Sequence, residues 1–134
     1  MSSRCCSGMA GDRDGDDLLA RLVDGIGDGL RTAALFDPDS YDVLFVRDDV
    51  AEAYPEDIAE EIHREQLFAA MHKDYRETLF SAAGTLDSTV HLFDDVVIFR
   101  VLNGDSGLFL SVDRTPSLDV DGVCMLCRDA VDAA

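Results

Sequence analysis

The chain has 134 residues, 47% of them hydrophobic, enough to bury one core without metals or disulfides and too many for a disordered acidic tail. Its 28 acids stand against 11 bases, a formal charge of −17, and no basic stripe exists to displace counterions from phosphates, which excludes nucleic acid as a partner. No apolar run approaches the ~20 residues of a membrane-spanning helix, and no signal peptide is legible, so the expectation is a cytoplasmic protein without a membrane partner.

The first eight residues, MSSRCCSG, differ in character from the rest of the chain: they hold Cys5 and Cys6 and no acid, whereas MAGDRDGDDLL from Met9 is acidic. Met9 is therefore an alternative start to Met1. Residues 1–12 are expected to form a disordered or non-native tail ahead of a single domain over 13–134. Asp16 or Asp17 caps a first helix that carries Leu18, Leu19, Leu22, Val23, Ile26 and Leu30 at helical spacing. Gly25, Gly27 and Gly29 weaken its second half.

Thr32–Phe36 (TAALF) reads as a short edge strand and FDPDS as a turn. Tyr41–Val46 (YDVLFV), apolar almost throughout, reads as a central strand. RDDVAEAY supplies one helical turn. Pro55 then takes the first position of a helix of about 25 residues, where its missing N–H is harmless. Ile58, Ile62, Leu67, Met71, Tyr75 and Leu79, with Phe68 and Phe80 beside them, form the expected buried face, bent or broken around His72. Gly84 ends this helix.

Thr89–Phe93, Val96–Leu102 and Leu108–Val112 read as three strands, turned at Asp94-Asp95 and at Asn103–Gly107, where Asn-Gly is a hairpin signal. From Gly122 a short helix places Val123, Leu126, Cys127, Ala130 and Val131 on one side. The expected fold class is α+β. It has a mostly antiparallel sheet (one strand, a long helix, then a three-strand meander) packed with N-terminal, central and C-terminal helices. The strands VVIF and LFL are apolar on both faces, so both faces of the sheet need cover, by helices, by a second copy or by a partner.

The motifs carry little chemistry. Cys124-x-x-Cys127 has the spacing of half a zinc site or a redox pair, but a structural zinc takes four ligands and the other cysteines are the adjacent Cys5 and Cys6. The pair is read first as small core residues, with a thiol or metal sensor through Cys124 and Cys127 as the alternative. His63, His72 and His91 form no nucleophile–base arrangement, and each is read as a surface residue. GIGDG, Gly25–Gly29, lies inside a helical pattern and lacks the third glycine of a dinucleotide loop. Arg47, at the end of the expected central strand, forms with Tyr41 a candidate small-ligand site; pairing of Arg47 with the acids beside it is the competing reading. No catalytic residue and no cofactor is indicated.

One lysine, Lys73, accompanies ten arginines, and the acids are spread along the chain. Such a charge repels itself in dilute buffer, but molar salt shortens the Debye length to ~3 Å and screens it. The composition is that of an extreme halophile. The run GDGLRTAALFDPDSYDVLFVRDDVAEAYPEDIAEEI, followed by TVHLFDDVVIFRV and GLFLSVDRT, resembles a group of small uncharacterised haloarchaeal proteins from about Leu19 to Thr115. That resemblance implies a halophilic archaeal cytoplasm and carries no functional residues with it. The element order also resembles the roadblock/profilin-like modules, which implies a small dimeric scaffold of the kind that regulates GTPases and motility or polarity machinery. The expected function is a non-enzymatic regulatory or adaptor domain, homodimeric and acting on an unidentified protein partner.

Overall fold

Near-continuous apolar runs mark the strands, and apolar residues at every third or fourth position mark the helices. In the computed structural model, which describes residues 10–53 and 58–133, they run α1 (Ala10–Ile26), β1 (Leu30–Phe36), β2 (Tyr41–Val46), α2 (Asp48–Ala53), α3 (Ile58–Met71), α4 (Lys73–Leu79), β3 (Ser88–Leu92), β4 (Val96–Asn103), β5 (Ser106–Asp113) and α5 (Val120–Ala133). The expected start signals Met1 and Met9, the cysteines Cys5 and Cys6, and Pro55 all lie outside the described residues. Asp16 and Asp17 sit within α1, not at its cap.

The fold class is the expected α+β, with one strand more in the sheet. All five strands are antiparallel neighbours in the order β2-β1-β5-β4-β3. The two N-terminal strands exchange the places read from the sequence. β1, expected at an edge, is central and hydrogen-bonded to β2 and β5; β2, expected at the centre, is an edge. Ala33 and Ala34 explain the exchange: both are buried, and their small side chains let layers close over both faces of β1. The β4–β5 hairpin closes on a two-residue loop, Gly104-Asp105, with Asn103 paired to Ser106. Gly104 has φ +67 and no described non-glycine residue has positive φ, so the first loop position alone is left-handed, the type II′ pattern and not the one Asn-Gly announces.

The sheet has two unlike faces. On one, α1 and α5 bury Leu18, Leu22, Val123, Cys127 and Ala130 against Val97, Phe99, Val101, Leu108, Leu110 and Val112. On the other, α3 covers a smaller apolar group in which Phe36, Leu102 and Phe109 are buried, with Ile62 and Leu67 packed beside them. The buried polar residues Thr32, Gln66, Arg100 and Ser111 also belong to this second layer, where Thr32 and Ser111 share a hydroxyl hydrogen bond of 2.7 Å.

The long helix is bent where the sequence places the bend. His72 (φ −86, ψ 0) separates α3 from α4, yet its N–H still reaches the Phe68 carbonyl at 3.1 Å and its carbonyl accepts from Arg76 N–H at 3.0 Å. The face of this helix departs from expectation. Met71, Tyr75, Leu79, Phe68 and Phe80 are exposed, Met71 by 72%, and only Ile62 and Leu67 of the expected stripe pack inward. Periodicity identifies an apolar face but does not say which molecule covers it.

Candidate functional site

Phe68, Met71, Tyr75 and Leu79 follow one another at helical spacing, so α3 and α4 present them as one stripe, continued by Phe80. α3 covers the sheet face of Phe36, Leu102 and Phe109, and Glu77 of α4 accepts the Leu86 N–H just ahead of β3, the edge strand opposite β2. Leu92 and Phe93, at the end of β3, are also exposed. The sequence of β3, STVHL, contains no lysine, carboxylate or proline, the usual guards of a free edge. An unguarded edge and an exposed apolar helical stripe are each suited to pairing with another polypeptide, the one through backbone hydrogen bonds and the other through side-chain burial.

Behind this surface lies a buried charge. Arg100 points from β4 into the α3 layer at 4% exposure, interrupting the otherwise apolar run VVIFRVL. Its Nε donates to Gln66 Oε1, Nη2 to Glu65 Oε1, and Nη1 to Thr89 Oγ1 at 3.0 Å. One guanidinium therefore ties together α3, β3 and β4. Burial pushes its pKa down, while the charge and hydrogen bond of Glu65 oppose the shift. Sequence reading missed this group; its signal was a lone charged residue in an apolar strand.

Arg47 is held by its own neighbours. Nε donates to Asp49 Oδ1 at 2.6 Å, Nη1 to Asp113 Oδ2 at 2.7 Å and to the Asp28 carbonyl at 2.9 Å, and Nη2 to Asp113 Oδ1 at 3.1 Å. Hydrogen bonds to Asp49 and then to Asp113 raise its pKa, and Arg47 in turn lowers both carboxyls. Tyr41 lies at the far end of β2, its ring 5.6 Å from that of His63, whose Nε2–H donates to the Asp37 carbonyl at 2.8 Å. The two residues of the candidate ligand site are thus separated by the length of the strand. An open cavity of about 560 Å³ between α1, the end of β5 and α5 is lined by Gly25, Val112, Asp113, Gly122 and Leu126 among others, but by neither Tyr41 nor Arg47.

Cys124 and Cys127 lie one turn apart on α5, Cys127 in the core and Cys124 half-buried. Burial pushes the Cys127 thiol up to about 12, and burial followed by Asp121 and Asp87 raises that of Cys124. Among the described residues no group of three or more His, Cys, Asp or Glu side chains is placed to hold a metal. No described helix is long and apolar enough to cross a membrane.

A family model described as "Domain of unknown function (DUF7522)" matches residues 16–132. No curated protein matches the chain. Among solved structures, the chain is similar to a Roadblock/LC7 domain from Streptomyces avermitilis at 17% identity and a TM-score of 0.59, with 87% of this chain and 90% of that one covered. It is similar to the gliding protein MglB from Thermus thermophilus at 17% identity and a TM-score of 0.60, covering 93% and 88%. It is also similar to an MglB with tetrameric arrangement at 16% identity and a TM-score of 0.61, again covering 93% and 88%. At these identities the likeness concerns the fold, which is of the roadblock/LC7 type.

Proposed function

The chain belongs to the DUF7522 family, and we propose that it is a non-enzymatic regulatory adaptor domain that works as a homodimer in a high-salt cytoplasm. The observation that carries this reading is the exposed stripe of Phe68, Met71, Tyr75 and Leu79, together with the unguarded edge of β3. A second copy is the occupant that fits best. Antiparallel pairing of β3 with itself satisfies both free edges at once, and the two stripes come to the same side of the joined sheet. The tetrameric arrangement named for an MglB of the same fold supports self-association. A further protein partner then docks on the dimer.

Sedimentation equilibrium in molar KCl tests the reading. A mass of twice 14.6 kDa at micromolar concentration is expected. A monomer at every concentration would sink the homodimer. The high-salt element has its own readout: the charge of −17 predicts partial unfolding, seen by circular dichroism, as salt falls below roughly molar and the ~3 Å screening length grows. A chain that keeps its full signal in dilute buffer would remove that element and leave the adaptor reading standing.

A further inference from the structure

We infer that Arg100 is the positioning residue of the self-association surface: its buried guanidinium locks α3 to β3, so that the helical stripe and the free edge are presented together as one rigid surface. The inference rests on the homodimer reading and adds to it a residue that touches no second copy.

The apolar packing beneath α3 is thin. Phe36, Leu102 and Phe109 are buried there, against nine buried strand residues under α1 and α5. Apolar contact fixes a helix poorly in rotation and translation, because many placements bury similar area. A planar guanidinium with fixed donors does not tolerate such drift. Arg100 spends one donor on Thr89, in the edge strand, and others on the consecutive helix residues Glu65 and Gln66. Gln66 is 1% exposed and directed at the sheet, two residues before Phe68 starts the outward stripe. Turning α3 enough to disengage Gln66 would therefore also turn Phe68 and Met71 away from the outward position they hold.

Replacing a whole buried polar set by apolar residues of similar volume is often neutral for stability, whereas removing one partner strands the other, so Arg100 is changed together with the buried Gln66. This separates positioning from simple support. The full chain in molar KCl is compared with Arg100→Met, made together with Gln66→Leu so that no buried amide is left unpaired, by thermal denaturation and by sedimentation equilibrium. The expected result is an unchanged or higher melting temperature with a dimer Kd raised at least tenfold, and Arg100→Lys, a single point charge without the fork, does not restore it. Thr89→Val, which frees only the strand end of the network, raises Kd by a smaller factor and decides the matter should the double variant fail to fold. Wild-type affinity in a folded double variant, or in Thr89→Val where the first variant does not fold, overturns the inference while the dimer stands. A wild-type chain that is monomeric throughout overturns both.

Discussion

The guanidinium of Arg47 holds both carboxylate oxygens of Asp113 across a strand that belongs to neither of them. Arg47 follows β2 and Asp113 ends β5, with β1 running between, so the pair clamps three strands at one end of the sheet. Arg31, from β1 itself, adds a longer contact of 3.5 Å to the same carboxylate.

This clamp has a pH signature. Hydrogen bonds from Arg47 depress the folded-state pKa of Asp113 below the ordinary carboxylate value of ~3.9. A depressed pKa adds stability that is fully present above the unfolded value and is lost as pH falls through the folded one. Asp113→Asn should therefore cost about 1 kcal/mol at neutral pH, the scale of a partly exposed pair, and the gap to the parent should close below pH ~4. Urea titrations at several pH values check this. A gap that stays constant into acid would show that Asp113 acts by shape and not by charge.

At the helical stripe, Met71→Glu and Tyr75→Glu should leave the monomer within about 0.5 kcal/mol of the parent, because both side chains are mostly exposed in the single chain. In a two-fold dimer each change is made twice. Losing about 1.5 kcal/mol of apolar burial per copy weakens association by roughly a hundredfold. Sedimentation together with melting curves separates the two effects, and dimers of parental affinity would place the interface elsewhere.

Gly107 is required for space. A Cβ there would lie 2.2 Å from the Val101 carbonyl and 2.9 Å from the Phe36 ring. Gly107→Ala should cost about 1–3 kcal/mol, the range for overpacking, read as a lower denaturant midpoint at unchanged slope. An unchanged midpoint would mean that the β1–β5 pairing yields freely at this position.

The cysteine pair should behave as two separate thiols. Burial holds the Cys127 thiol at about 12, so alkylation mapped by peptide mass should miss it in the native protein and find it after unfolding. Cys124, half-buried and raised by burial and nearby acids, should react slowly. Rapid native labelling of both, or protection of both by added zinc, would revive the thiol or metal reading.

The C-terminal hairpins were legible because short apolar runs and the turn residues between them, Asp94-Asp95 and Asn103-Gly104, act locally, within a few residues. The order of the first two strands was not. Hydropathy marks YDVLFV as apolar, but whether a strand is central depends on what pairs with it from far along the chain, and β1 gains its place from β5. Likewise Met71 and Tyr75 announced a buried face correctly as a pattern and wrongly as a location. The Arg100 network escaped because its partners, Glu65, Gln66 and Thr89, are brought together only by the fold.

The position of β1 also constrains how the chain can be made. Thr32 and Ser111, bonded at the middle of the sheet, are 79 positions apart, so the central pairing cannot close until β5 has been synthesised and released from the ribosome. The β3–β5 meander can form on its own short loops, and the β1–β2 hairpin likewise. Joining these two pieces is then the slow step, since long loop closure precedes any reward from the contacts it makes. Until that moment β1 and β5 each expose a bare backbone edge, open to pairing with the same strands of a neighbouring nascent chain.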